Sequence, residues 1–283
     1  MDSIKIKANA KINLALAVKN KRNDGYHEVE VIYQEIDYYD TLNIAKSEKI
    51  EMFTDSSLLK NEATNLCIIA AKLLKEEFKI PGLSIRLDKK LPIGAGLGGG
   101  SSDAAAILKN GLKLYGITYS TDRLLNIAAK IGADVPFFLI GGTAYGTGKG
   151  EILKALKINE KYFILLVVPE VRVSTQWAYK NLNLALTRKY DGYKFKGFEL
   201  QNLSVKNFRS EFYNDFEDLV FKEFPNLSFL KEELYNHGAV FASLSGSGSA
   251  LYGLYLSKSS AEKANKILSH RFKCRLCRPV TEE

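Results

Sequence analysis

The chain has 283 residues, 46% of them hydrophobic and 25% charged, which are the fractions of a folded protein and not of a disordered one. Six prolines and 21 glycines exclude collagen-like sequence, and the longest apolar run, Phe163 to Pro169, is far short of the about 18 residues that span a bilayer. Forty basic against 32 acidic residues leave a net charge of +8, spread without any block of five like charges; the sharpest clusters are the pairs Lys21-Arg22, Lys89-Lys90 and Arg188-Lys189. That distribution argues against a nucleic-acid arm and leaves phosphate binding as the most that charge implies. Three cysteines build no disulfide framework and no leader-like stretch follows Met1, so the expected setting is a reducing cytoplasm, away from membranes.

Ile4, Ile6, Ala8, Ala10, Ile12, Leu14, Leu16 and Val18 alternate with polar residues, which predicts a long half-buried strand. Lys11 and Asn13 fall on its polar face, roughly 6.6 Å apart. The turn signal Asn23-Asp24-Gly25 precedes a second strand through Val29, Val31 and Tyr33. A helix is expected over Thr64 to Phe78 and a strand over Leu83 to Leu87. An Ala-rich helix should run from about Ser102 to Tyr115 and stop at Gly116. Ser120 to Asp122 can cap a further helix that Gly132 closes. Gly141-Gly142 and the glycines from 146 to 150 interrupt the pattern. Tyr162 to Val168 is a buried strand candidate, Ser259-Ser260-Ala261-Glu262 has the spacing of a capping box, and Phe272, Cys274 and Leu276 alternate like a last strand with Cys274 inward. Strands come first and helices mix with strands afterwards, so the fold class is α+β. A boundary near residue 155 divides the chain into residues 1–155 and 156–283.

The densest chemical signal is Pro92-Ile93-Gly94-Ala95-Gly96-Leu97-Gly98-Gly99-Gly100-Ser101-Ser102, which opens directly into the Ala-rich helix. Glycines let backbone N–H groups converge on an anion, and the helix start adds unsatisfied N–H groups and the positive end of its dipole. Ser101 and Ser102 offer hydroxyls to phosphate or to a magnesium ion. Gly94, Gly96 and Gly99 satisfy the dinucleotide spacing G-x-G-x-x-G, but the nearest acidic candidate downstream, Asp122, sits at a helix start and not at a strand end. The P-loop pattern fails because Ser101, not lysine, follows the last glycine, and protein-kinase signatures are absent. A different class of nucleotide-phosphate loop remains.

Other residues are ambiguous by type alone. Asp134, between Gly132 and Pro136, is either a capping aspartate or a catalytic carboxylate. Lys11 is either one of several lysines on a solvated strand face or a charge placed for chemistry. Leu244-Ser245-Gly246-Ser247-Gly248-Ser249-Ala250 is a tight turn or a second glycine motif. His27 is a surface histidine or a ligand contact, and Tyr26 a core aromatic or a stacking ring. Cys274-Arg275-Leu276-Cys277 is a single C-x-x-C, too few ligands for structural zinc.

The 92–102 loop resembles the second motif of the GHMP kinase superfamily, which includes galactokinase, homoserine kinase and mevalonate kinase. Leu244 to Ala250 resembles the superfamily's C-terminal glycine motif. Ala10-Lys11-Ile12-Asn13-Leu14, Asp24-Gly25-Tyr26-His27 and Gly132-Ala133-Asp134-Val135-Pro136-Phe137-Phe138 resemble the branch that phosphorylates a cytidine diphosphate conjugate on the non-mevalonate isoprenoid route. The likeness runs from about Lys7 to Tyr252. It implies a ribosomal-protein-S5-like N-terminal domain and a ferredoxin-like C-terminal domain, with ATP and Mg²⁺ as cofactors. It also implies a small-molecule acceptor, with no nucleic acid and no membrane as partner. It makes Asp134 the base and Lys11 its partner, gives residues 92–102 to ATP, and sets Asn13, Tyr26, His27, Thr175 and Tyr179 near the cytidyl substrate. The alternatives are another kinase of the superfamily, acting on mevalonate or homoserine, and a non-catalytic RNA-binding protein that shares the N-terminal fold.

Overall fold

The computed structural model of the chain describes residues 2–59, 64–158, 160–184 and 203–281, so the Arg188-Lys189 pair lies outside the described residues. The chain forms two compact units, each assembled from separate stretches. The first takes Met1–Ala10, Tyr38–Ile93 and Gly98–Ile140, and the second Lys11–Asp37, Gly94–Leu97 and Gly141–Glu283.

The first unit holds the opening residues of β1 (Ser3–Lys21), the closing residues of β2 (His27–Lys46), β3 (Glu51–Thr54), α1 (Leu66–Phe78), β4 (Leu83–Asp88), α2 (Gly99–Leu114), α3 (Thr121–Ile131) and α4 (Val135–Ile140). Thr41 to Lys46 of β2 run antiparallel to β4, and β3 runs parallel to β4. Ile44, Ile85, Leu74, Ala104, Ala105, Leu108 and Leu112 belong to one buried core. The small alanines of α2 suit it to close packing against α1, and each buried leucine or isoleucine contributes about 1.5–3 kcal/mol over exposure.

The caps follow elementary chemistry, with two corrections to the sequence expectations. Asn65 caps α1, its side chain accepting from the Cys67 N–H, so the helix begins at Leu66 and not Thr64. Helix α2 begins at Gly99, three residues before Ser102, because Gly98 is itself the left-handed N-cap residue, with φ +67°. Ser120 caps α3 as expected.

The second unit continues β1 and β2 and adds β5 (Thr143–Thr147), β6 (Ile152–Leu156), β7 (Phe163–Val168), α5 (Thr175–Asn181), α6 (Glu217–Glu223), α7 (Pro225–Asn236), β8 (Phe241–Leu244), β9 (Leu251–Tyr255), α8 (Lys258–Leu268) and β10 (Lys273–Cys277). Val31 to Gln34 of β2 pair antiparallel with β5, and β5 with β6. A separate antiparallel sheet has the order β10-β7-β9-β8. With helices after β7 and before β10, this is the βαββαβ arrangement of ferredoxin-like folds. The mixed α+β class therefore holds.

Helix α8 is capped by Ser257, whose Oγ accepts from the Ser260 N–H at 3.2 Å. The capping box expected at Ser259 is displaced, and Glu262 instead faces Lys258 one turn away at 3.2 Å. In β10, Cys277 is the buried cysteine and Cys274 only half-buried, and all three cysteines are free thiols. Burial pushes the Cys277 thiol up to about 12 and the Cys274 thiol up to about 11, so both stay protonated near neutrality. Among the described residues no helix is long and apolar enough to cross a membrane.

Candidate active site

Strand β1 departs most from its expected environment. Instead of one solvated face, Ala10 to Val18 are buried on both. Lys11 is only 3% exposed and Asn13 only 2%, which removes the reading of Lys11 as one lysine on a wet strand. An ammonium is costly to bury unless polar groups meet it. Lys11 Nζ donates to Asn13 Oδ1 at 2.6 Å and lies 5.6 Å from the centre of the Tyr33 ring. The Lys11 N–H donates to the Leu97 carbonyl at 3.0 Å, so the strand carrying the lysine also holds the end of the segment Gly94–Leu97.

That segment meets the turn between β8 and β9. The Ala250 N–H donates to the Ala95 carbonyl at 3.1 Å, and Ser245 Oγ donates to the Gly96 carbonyl at 2.9 Å. Gly96 has φ +80°, and a Cβ there would lie 2.0 Å from the Ser245 carbonyl oxygen. No side chain fits, so this glycine is required both for its conformation and for its space.

The turn itself is held from below. Asn214 donates from its amide to the Leu244 carbonyl at 2.9 Å and to the Gly246 carbonyl at 2.8 Å. Glu217 Oε1 accepts from the Leu244 N–H and from Ser243 Oγ, each at 2.9 Å. Tyr252 donates its hydroxyl to the Asn13 carbonyl at 2.8 Å. The sequence reading missed Asn214, Glu217 and Tyr252. The only available signal was polar residues inside the aromatic stretch Phe212-Tyr213-Asn214-Asp215-Phe216-Glu217, which marks buried hydrogen bonding without saying where it leads.

In the first unit, Pro92 and Ile93 end the approach to the glycine segment, and Gly98, Gly99, Gly100, Ser101 and Ser102 open α2. Ser102 is buried, and its N–H closes the first helical bond to the Gly98 carbonyl at 2.9 Å. N–H groups ahead of that bond have no intrahelical acceptor, which is what anion binding needs. Asp134 is half-buried between Gly132, which ends α3, and Val135, which begins α4. Gly132 is extended there, with φ 178°, and its carbonyl accepts the Val135 N–H at 3.1 Å.

The other expected contacts lie in the second unit. His27 stacks on Tyr179 with ring centres 5.0 Å apart and planes 24° apart, and Tyr179 meets Phe216 in a T-shaped pair with ring centres 4.8 Å apart. Burial and then the nearby Lys21 charge lower the His27 pKa, favouring neutral imidazole with one donor and one acceptor. Tyr26 is 56% exposed with Lys149 Nζ 4.5 Å from its ring centre, so it is not a core aromatic. Thr175 opens α5 and its hydroxyl lies 2.9 Å from Ser247 Oγ, tying that helix start to the glycine turn. The structure thus brings together Lys11, Asn13, Gly94 to Leu97 and the 244–250 turn, joins Thr175 to that turn, and pairs His27 with Tyr179. Tyr26 stands apart under Lys149.

A buried lysine beside a glycine segment, with a second glycine turn locked against it, suits the handling of nucleotide phosphates. Residues 65–142 match the model of the GHMP kinases N terminal domain, and residues 199–274 the model of the GHMP kinases C terminal domain. The chain belongs to the GHMP kinase family, and it is an ATP-dependent kinase. It is 41% identical over 281 residues to 4-diphosphocytidyl-2-C-methyl-D-erythritol kinase of Pelodictyon phaeoclathratiforme, covering 99% of this chain and 98% of the relative. A crystal structure of 4-(cytidine 5'-diphospho)-2C-methyl-D-erythritol kinase superposes with a TM-score of 0.80 at 30% identity, over 99% of this chain and 100% of that one. Mevalonate kinase of Methanococcus jannaschii superposes at 0.72 but is 16% identical, over 98% of each chain, which is a likeness of fold alone.

Proposed function

We propose that the protein transfers the γ-phosphate of ATP to the tertiary 2-hydroxyl of 4-diphosphocytidyl-2-C-methyl-D-erythritol, a step of the non-mevalonate route to isoprenoid precursors. The observation that carries this reading is the 41% identity to a kinase of that name across 99% of the chain. The family models fall on either side of residue 155, which supports a domain division into 1–155 and 156–283. Three free thiols support a reducing cytoplasm as the setting.

Phosphoryl transfer asks the protein mainly for position and charge. In our reading the backbone N–H groups of residues 92–102, together with the start of α2, receive the ATP phosphates. Asp134 accepts the proton of the acceptor hydroxyl, and Lys11 offsets charge that spreads over the reacting oxygens. Mg²⁺ is a hard cation that favours oxygen ligands, retains water and commonly leans on substrate phosphates. The buried Ser102 hydroxyl near the start of α2 suits that donor set and is the residue we assign to hold it. When bound, the ion neutralises phosphate charge. His27, Tyr179, Tyr26, Asn13 and Thr175 bind and orient the cytidyl substrate.

The purified chain with ATP should turn over the cytidyl substrate and leave mevalonate and homoserine essentially untouched. A comparable kcat/KM on either of the latter would overturn the substrate assignment, and the absence of ATP consumption with all three would leave a non-catalytic protein.

His27 offers a sharper probe. Its ring is fixed by Tyr179 at 5.0 Å and is favoured in the neutral form, which suits it to one polar edge of a pyrimidine. His27→Ala should reduce kcat/KM for the cytidyl substrate by an amount on the order of 2–3 kcal/mol, chiefly through KM, because a buried polar partner is left unmatched. The KM for ATP should stay within about twofold. Equal losses for both substrates, measured on one folded preparation, would mean that His27 only supports the fold.

A further inference from the structure

Outside the residues assigned so far, the first unit buries three charged side chains together. Asp40, in the closing third of β2, has 0% exposure. Its Oδ1 accepts the Lys90 N–H at 2.6 Å and the Leu91 N–H at 2.8 Å. Its Oδ2 accepts from Lys89 Nζ at 2.5 Å, and the same ammonium donates to Asp103 Oδ2 at 2.7 Å. Asp103 lies in α2, just after the glycines that open it. One carboxylate therefore fixes the backbone immediately before Pro92 and reaches, through Lys89, the helix that begins where the glycine loop ends.

We propose that Asp40 is a positioning residue for nucleotide binding, holding the two ends of the 92–102 loop in register through the Lys90 and Leu91 N–H groups and the Lys89–Asp103 bridge. This inference rests on the proposed assignment of that loop to ATP.

The chemistry favours such a role over a generic ion pair. A buried charge cluster is poor value for stability alone, since apolar residues of the same volume usually do as well. What it provides is directional: three donors from one short segment converge on one carboxylate. The groups facing the cluster are Asp40 from β2, Lys89 from the turn after β4, Asp103 from α2 and Cys67 from α1. Burial, and the Asp40 charge against the opposing pull of Lys89, raise the Asp103 pKa above the usual carboxylate range. Among the described residues Asp103 Oδ1 is buried without a hydrogen-bond partner, whereas both oxygens of Asp40 are engaged. Asp40 is thus the fixed point, and Asp103 the yielding end of the bridge. Close fit around the bridge extends to the helix start, where a Cβ on Gly99 would stand 3.1 Å from Lys89 Nζ and 3.3 Å from Leu91 Cβ.

The test compares Asp40→Asn and Asp40→Ala in the full chain. Asparagine keeps an oxygen for the two N–H groups but turns a donor toward Lys89, and alanine removes both functions. The KM for ATP, and the Kd of a fluorescent ATP analogue, should rise about tenfold in Asp40→Asn and further in Asp40→Ala, where that variant folds. The kcat and the KM for the cytidyl substrate should stay within about twofold. Unchanged ATP affinity in Asp40→Asn, equal rises in both KM values, or an unfolded Asp40→Asn would each overturn the inference. Gly96→Ala, run alongside, separates the two levels. If it binds the analogue normally, the loop assignment itself fails. If it loses binding while Asp40→Asn does not, only the role of Asp40 falls.

Discussion

Asp134→Asn should lower kcat at least about 100-fold while leaving the protein folded and the affinity for an ATP analogue unchanged. The amide preserves the shape and hydrogen-bonding reach of the side chain between Gly132 and Val135, but it does not accept a proton near neutral pH. A residue that only terminated α3 or capped the six-residue helix α4 would tolerate this exchange, because asparagine caps helices as well as aspartate does. The two roles therefore separate in one variant: a cap predicts near-normal turnover, and a base predicts a folded, nucleotide-binding and almost inactive protein. Steady-state kcat, analogue titration and a thermal melt on the same preparation decide it. Turnover close to that of the unmodified chain would remove Asp134 from the mechanism.

Gly96→Ala should abolish measurable nucleotide binding, with a loss of at least about 100-fold in analogue affinity. Two costs combine. The residue sits at φ +80°, and its Cβ would be placed 2.0 Å from the Ser245 carbonyl oxygen and 3.2 Å from the Gly248 carbonyl oxygen. Neither neighbour is the flexible end of a side chain, so the loop and the 244–250 turn must separate, breaking the Ser245 Oγ to Gly96 carbonyl bond of 2.9 Å. Gly94→Ala is the matched control. It has φ +74° and nothing within 4 Å of the added Cβ, so it carries only the conformational cost of about 1–2 kcal/mol. Binding retained in Gly94→Ala and lost in Gly96→Ala would assign the effect to the contact between the two glycine motifs. Equal behaviour of the two variants would show that this contact does not support the phosphates.

Much of the local structure was legible in the sequence. Apolar spacing located α1 and β4, because a period of 3.6 or 2 is imposed by which side chains must leave water, while alanine content located α2 and a continuous apolar run located β7. Helix starts were less secure. Ser120 was correct, but Ser259 was not, since three serines within four residues, Ser257, Ser259 and Ser260, can each serve as the cap and only the observed Ser257 Oγ to Ser260 N–H bond selects one. Glycine density marked the 92–102 loop directly, because a backbone conformation forbidden to other residues leaves a compositional trace.

The sequence by itself determined the α+β class, the position of both glycine motifs and, through resemblance, the family. Only the tertiary structure decided the environment of Lys11, which alternation placed on a solvated face and which is 3% exposed. Period two specifies that a residue faces away from one core, but not whether other segments cover the opposite face. Tertiary structure alone also decided that Ala95 and Ala250, 155 positions apart in the chain, share a backbone hydrogen bond, and that Asp40, Lys89 and Asp103 form one buried cluster. Such contacts depend on where distant strands and helices end in space, and pairwise hydrogen bonds between remote residues leave no periodic signal from which a single chain reveals them.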